Sequence, residues 1–405
     1  MKVPFSPPRI DERTLEAVAG VLRSGWITTG PQVRHFEERL TEYTGCRATV
    51  CLNSASAGLE LALRWFGLGP GDEVIVPAYT YAASANVVIH CGATPVFVDS
   101  GPDFNLDPEA VLRAITPRTK VVMPVDIGGW PCDYEALREV LNRPGVRDAF
   151  VPATEAQRGL GRILLLADAA HSFGAVYKGK RIGTQADLSV FSFHAVKNLT
   201  TAEGGAVCFH LPPPFDAQAE AARLRTKSLH GQSRDAFSKM NSPGWRYDIL
   251  EPGYKCNMTD IQAAMGLVEL ERYDEQLEKR RRIMHRYDEA FAGDPRFTTP
   301  CWKDGDSHSS YHLYMLRLNN TSESQRDAVI ASVFAREVAV NVHFVPLPMM
   351  TYYRNAGYDI KDYPGAYQSY ACEISLPVYY DLSPEMQELV IASLMGALNE
   401  HGLQG

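Results

Sequence analysis

The sequence predicts an α/β protein: a mainly parallel central sheet flanked by helices, followed by a smaller C-terminal α+β part. Three observations carry this expectation. Between residues 48 and 142, short apolar runs alternate with segments of helical period, the order of consecutive βαβ units. Residues 163–175, ILLLADAAHSFGA, read as a buried strand that ends on an acid, Asp168, with His171 three residues on. Residues 187–205, DLSVFSFHAVKNLTTAEGG, read as a second strand that stops at His194, with Lys197 in a hydroxyl-rich turn closed by Gly-Gly. A chain of 405 residues exceeds the usual size of one core, so a large domain over 1–260 and a linking helix with a small domain over 261–405 are expected.

In chain order, residues 9–24 have apolar positions at helical spacing, with Asp11 placed to cap and Gly25 to terminate. WITTGPQVRHFEERLTEYTG follows as a loop and a helix with Pro31 in its first turn. ATVCLNSASAGLELALRWFGL reads as strand, turn and helix. Ser54, Ala55 and Ser56 lie where that helix begins, where free N–H groups and the helix dipole favour a phosphate; the plainer reading is an N-cap. GDEVIVPAYTYAASANVVIHCGATPVFVD forms a βαβ unit. Its Tyr81 sits at a strand's C-terminal edge, where ligands gather in open α/β sheets, or else is a core tyrosine. NLDPEAVLRAIT and TKVVMPVDIGGWPCDYEALREVL continue the alternation.

Residues 143–162 look like a surface excursion, with a place near a dimer or substrate rim open to them. GGAVCFHL is a further strand, FDAQAEAARLRTKSLHG a charged helix, and 231–252 a long irregular loop. From 253 to 292 the pattern predicts one capped helix of more than thirty residues, its KRRR run at 279–282 on a solvated face. Beyond 295, SSYHLYMLRL and VAVNVHFVPL read as strands of the small domain.

Composition narrows the function classes. Hydrophobic residues at 45% and charged residues at 22% describe an ordinary globular protein. A net charge of −8 leaves no basic footprint for nucleic acid. The N-terminus lacks the apolar core of a secretory signal, and no apolar run reaches membrane-spanning length, so a place in the cytoplasm is expected. Eight scattered cysteines without CxxC spacing or clustered histidines predict free thiols, and no metal site is expected.

An amine beside hydroxyls able to hold phosphate, with a strand-end acid upstream, is the chemistry of a Schiff-base lysine. In these residues the chain resembles the pyridoxal-phosphate (PLP) sugar aminotransferases of the DegT/StrS type, within fold type I of PLP enzymes. The resemblance runs from TTGPQVRHFE to ISLPVYYDL, and SFHAVKNLTTAEGG looks most like the branch that makes UDP-4-amino-4-deoxy-L-arabinose. It implies that PLP is the cofactor, held by Lys197, which also shuttles protons. Asp168 would keep the pyridine nitrogen protonated, and His171 would lie near the ring hydroxyl. Ser54, Ala55, Ser56 and Ser192 would hold the phosphate, with Ala55 and Ser56 standing where similar enzymes have Gly and Thr. Tyr81 would stack on the ring. Asn257, and with it Lys255, resemble residues contributed across a homodimer interface. Trp26, Thr28 and Thr29 would border the sugar-nucleotide cleft unless they form only a turn. Trp245, Arg246, His312 and His343 would face the sugar nucleotide or the glutamate carboxylate, or be structural.

The reaction implied is amino transfer from an amino acid, L-glutamate by expectation, to a nucleotide-linked keto-sugar at C4, for a surface polysaccharide such as lipopolysaccharide or for a secondary metabolite. Three other readings stand beside it. One is an aminotransferase for a non-nucleotide ketone such as a keto-cyclitol. Another is a PLP-dependent sugar dehydratase, against which Lys197 argues because such relatives carry histidine there. The third is a PLP-binding regulator without turnover.

Overall fold

The structure, a computed structural model, describes residues 2–233 and 246–403. Among the described residues a seven-stranded sheet runs in the spatial order Ala48–Leu52, Gly205–Phe209, Leu188–Ser192, Leu164–Asp168, Thr119–Val122, Glu73–Pro77, Thr94–Val98. Gly205–Phe209 is antiparallel to both of its neighbours, and the pairs from Leu188–Ser192 outward are parallel. Helices cover a mainly parallel sheet on both faces, so its strands are apolar along their length. Glu73–Pro77 and Leu164–Asp168 are buried at every position. The register sets Asp168 beside Val190, and Ser192 beside Gly205, at one edge of the sheet.

The helix ends follow the local chemistry expected of them. Asp11 caps Glu12–Ser24 by accepting from Thr14 N–H, and Gly25 closes it at φ 74°, a left-handed conformation suited to glycine. Ser54 caps Ala55–Phe66 by accepting from Ala57 N–H, with Pro31 similarly at the start of Pro31–Thr44.

The long helix expected over 253–292 is instead two helices, Asp260–Glu271 and Tyr273–Phe291, broken at Arg272 (φ −112°, ψ 12°). Arg272 reaches both Asp11 and Glu269, and buried Tyr273 donates its hydroxyl to Phe173 O at 2.7 Å. These tertiary contacts override a continuous helical pattern. Nor is the basic run wholly solvated. Arg280 falls on the buried stripe of Gln276, Leu277, Ile283, Met284 and Tyr287 and donates to Val378 O at 2.8 Å.

The 143–162 excursion contains two short helices, Pro144–Ala149 and Glu155–Leu160. Thr154 Oγ1 and Gln157 Nε2 both donate to Phe66 O, at 3.0 and 3.1 Å. This seats the segment at the far end of the helix that Ser54 caps, away from the strand edge bearing Asp168. The ends of the 231–252 loop pair through Gln232 and Ile249, with Ser233 N–H donating to Asp248 O at 2.9 Å.

A second, antiparallel sheet joins Phe297–Thr298, Tyr314–Leu318 and Glu373–Leu376. The strand expected over VAVNVHFVPL does not form. That stretch makes isolated bridges, Val338 to Val3 and Asn341 to Ser375, before Pro346 and Pro348 end the extended run. All eight cysteines are free thiols, five of them buried. No helix among the described residues is long and apolar enough to cross a membrane.

Candidate active site

A cleft of about 360 Å³ opens where the strands Leu164–Asp168 and Leu188–Ser192 end and the helix Ala55–Phe66 begins. This volume lies in the range of small-molecule sites. Ser54, Ala55, Ser56, Tyr81, Asp168, His171, Ser192, Lys197, His312 and His343 all line it. Residues far apart in sequence therefore meet at one sheet edge, the carboxyl end of the parallel strands. A larger hollow of about 720 Å³ lies at the opposite strand ends, beside Arg162, Lys180 and Asp187, and includes none of these groups.

Lys197 follows directly from the strand's abrupt end. Its N–H closes a turn onto His194 O at 2.9 Å, and its side chain is half-buried in the cleft. Desolvation pushes its amine down to about 8, against the pull of Asp168, which favours the charged form. A lysine poised there releases and accepts protons far more readily near neutrality than an exposed one.

Asp168 is 5% exposed, the last residue of its strand. Ser84 Oγ donates to its Oδ2 at 2.8 Å and Ala170 N–H to its Oδ1 at 3.3 Å. Burial raises its carboxyl above the usual range, while Ser84, Ala170 and Lys197 oppose that shift. A desolvated carboxylate of this kind is stabilised by a cation brought to it.

His171 has its protonation state set by its neighbours. Gly128 N–H donates to Nδ1 at 3.2 Å, so a neutral ring carries its proton on Nε2. Burial and the Lys197 charge hold the ring well below its usual range and hence neutral. His312 shows the opposite tautomer. Asn198 donates Nδ2–H to Ser310 O at 2.7 Å, leaving Oδ1 to accept from His312 Nδ1–H at 2.9 Å. The two imidazoles lie 4.5 Å apart by centroid.

At the floor, the first N–H groups of a helix have no partner within it and so present donors to an anion. Ala55 is one such residue, and the backbone there needs no glycine because Ser54, at φ −165°, is extended and Ala55 is helical. Close packing holds this helix start in place. A Cβ on Gly205 would lie 2.5 Å from Ala55 N and 2.6 Å from Ser54 C. Tyr81 stands at the mouth, 66% exposed, with its ring 5.9 Å from that of Phe344.

The remaining expected residues lie outside this chain's cleft. Asn257 Nδ2 donates to Thr29 Oγ1 at 2.5 Å, and Lys255 contacts Asn257 and borders an adjoining hollow shared with Ser56 and Tyr81. Half-buried Trp26 donates Nε1–H to Thr29 O at 3.2 Å, and exposed Thr28 accepts Asp260 N–H at its carbonyl. These contacts favour the turn-forming role for Trp26 and Thr28 within one chain. Arg246 is exposed and does not line the cleft, while Trp245 lies outside the described residues.

Sequence reading missed the residues that orient the site. Ser84 gave a faint signal, lying one helical turn beyond Tyr81, and Asn198 adjoins Lys197. The Gly128 backbone donor left no signal in residue type.

The groups fit PLP as a set: a desolvated amine, a buried acid able to face a ring nitrogen, and a helix start braced for phosphate. The sequence signature of the DegT/DnrJ/EryC1/StrS aminotransferase family matches residues 8–150 and 151–395. The chain is 37% identical over 397 residues to the spore coat polysaccharide biosynthesis protein SpsC of Bacillus subtilis, covering 97% of this chain and 96% of SpsC. Spr1654 of Streptococcus pneumoniae, a candidate sugar aminotransferase solved as a PMP form, is 44% identical with a TM-score of 0.95, covering 100% and 99% of the two chains. Helicobacter pylori PseC, an aminotransferase of pseudoaminic acid biosynthesis, is 27% identical with a TM-score of 0.87, covering 99% and 100%.

Proposed function

This chain belongs to the DegT/DnrJ/EryC1/StrS aminotransferase family and is a PLP-dependent sugar aminotransferase; from that premise we propose which residues act and on what substrates. The reading is transfer of an amino group from L-glutamate to C4 of a nucleotide-linked keto-sugar, in making a surface polysaccharide or a secondary metabolite. One observation carries it: Lys197 and Asp168 share one cleft with His171, above a helix start able to take a phosphate. The C4 preference rests on the resemblance of SFHAVKNLTTAEGG to the aminoarabinose branch.

PLP, when bound, supplies an electron-poor ring that stabilises charge at a carbon losing its proton. Asp168 holds positive charge at the ring nitrogen, its ionised form favoured by Ser84 and Ala170 N–H. Lys197 moves a proton between carbon centres, a task suited to an amine pushed down to about 8. His171, fixed with Nε2–H, donates toward the ring hydroxyl. Ser54, Ala55, Ser56 and Ser192 would hold the phosphate, and Tyr81, which also lines the cleft, would stack on the ring. His312 and His343 also line the cleft and would face the sugar nucleotide or the glutamate carboxylate.

The proposal extends to a cytoplasmic homodimer in which Asn257 and Lys255 complete the partner's site, each chain dividing near residue 260. Asn257 stands outside its own cleft, and Tyr81 is left 66% exposed in one chain, which supports a covering second copy. The test is a matrix of amino donors against NDP-4-keto-sugars, NDP-3-keto-sugars and free keto-cyclitols, read by mass. Amination of only the 4-keto nucleotide sugars, with 2-oxoglutarate released, is expected. Preferred turnover of a free ketone would overturn the substrate reading.

A further inference from the structure

His343 enters the cleft from the C-terminal part of the chain and is held from behind by residues on the strand Glu373–Leu376. Its Nδ1 lies 2.8 Å from Ser375 Oγ, and Ser375 Oγ lies 2.5 Å from Glu373 Oε1. The other carboxyl oxygen, Glu373 Oε2, accepts the His343 backbone N–H at 2.9 Å. Tyr79 donates its hydroxyl to His343 O. With Nδ1 engaged by Ser375, Nε2 is the ring nitrogen left for a ligand; among the described residues its hydrogen-bond contact is a long 3.4 Å one from exposed Asn341.

A hydroxyl between an imidazole and a carboxyl can point its one proton either way. If the carboxyl is ionised, Ser375 must donate to it, Nδ1–H donates to Ser375, and Nε2 is a bare acceptor. If the carboxyl holds a proton, it donates to Ser375, Ser375 donates to Nδ1, and Nε2 carries hydrogen. Resting on the reading that this cleft takes a keto-sugar, we propose that Glu373 and Ser375 are positioning residues that decide whether His343 offers the substrate a donor or an acceptor. The donor form suits a keto oxygen; the acceptor form suits a sugar hydroxyl or an incoming ammonium.

The surroundings leave both states within reach. Glu373 is fully buried and its carboxyl is pushed up to about 8, desolvation outweighing its hydrogen bonds and the attraction of Arg326. Arg326, from the helix Glu323–Ala335, is committed to the carbonyls of Tyr370 and Glu373 and to Asp327. Arg317 pairs with Glu373 in strand register but lies over the Phe104 ring at 5.2 Å. Tyr79 and Cys372, the other titratable neighbours, are raised and hence neutral. His343 itself is pushed down to about 3 by burial and the Lys197 charge, so it stays neutral while its tautomer changes. Below about pH 8 the carboxyl keeps its proton and Nε2–H prevails, and above it Nδ1–H prevails.

The test uses PLP-loaded protein labelled with ¹⁵N-histidine, the His343 ring signals being assigned by their loss in H343Q. In wild type the ring proton should move from Nε2 to Nδ1 as pH rises through about 8, and in S375A and E373Q the tautomer should not change with pH. The infrared carbonyl band of a protonated carboxyl should fade over the same range and be missing from E373Q. A wild-type tautomer that stays constant across that range, or a transition that survives in S375A, would overturn the relay. Because the ring nitrogens are read without substrate, this outcome is independent of which sugar the cleft accepts.

Discussion

Replacing Asp168 with Asn changes one charge with little change in shape, and its consequences for stability and for catalysis run in opposite directions. The carboxyl is 5% exposed, and burial raises it above its ordinary value. A group raised in the folded state stabilises fully below its unfolded value, and that stability is lost as pH rises through the folded value. At neutral pH the ionised group therefore costs stability, and Asp168→Asn should melt higher than wild type when PLP is absent, an amide still accepting from Ser84 Oγ at 2.8 Å. With PLP bound the order should reverse, because a neutral amide cannot hold positive charge at the ring nitrogen. Loss of one buried charged interaction at the reacting centre is worth about 2–4 kcal/mol, so kcat/KM should fall roughly 30- to 1,000-fold. Asp168 also holds the Lys197 amine up, so the basic-side dependence on Lys197 should move below about 8 in the variant. Thermal melts of apo and PLP-loaded protein, with the pH profile of single-turnover amino transfer, read all three. Near wild-type turnover would remove Asp168 from the chemistry, and a lower apo melting point would refute the account of its burial.

Two further outcomes are expected. Gly205→Ala places a Cβ against the backbone of Ala55, Ser54 and Phe191, so the helix start and the strand must move apart to relieve the clash; overpacking should cost about 1–3 kcal/mol of stability and weaken PLP binding at least about tenfold, measured by melts and spectral titration, and unchanged affinity would show that this helix start does not hold the phosphate. Mixing inactive Lys197→Ala and Asn257→Ala subunits should restore about one quarter of wild-type activity if two-fold dimers share sites, since half the dimers are hybrids with one intact site; no recovery, with exchange verified by mass, would place Asn257 outside the neighbouring site.

The parallel strands were legible because apolar runs bounded by Gly, Pro and caps specify them locally. Asp168 and Lys197 stood out for the same reason, each ending or following a buried strand with polar chemistry. The break at Arg272 was not legible. Its cause is contacts to Asp11, from the other end of the chain, and to Glu269, with Tyr273 turned onto Phe173 O. Arg280 reads as one more member of a basic run until helix phase places it over Val378 O. VAVNVHFVPL has the composition of a strand, but its backbone bridges to the small sheet at Asn341 and does not pair with it along its length. The tautomers of His171 and His312 depend on Gly128 N–H and on the orientation of the Asn198 amide, which appear only once the chain is folded. Function was thus easier to read than its fine control, since reactive side chains are visible as residue types and backbone donors are not.

The proposed anchor of PLP is the Lys197 amine. Borohydride reduction of the PLP-loaded protein, followed by proteolysis and mass spectrometry, tests it most directly. One phosphopyridoxyl label is expected, on Lys197 in the peptide spanning FSFHAVKNLTT, and it should be lost in Lys197→Ala. A label on any other lysine of the wild-type protein would contradict it.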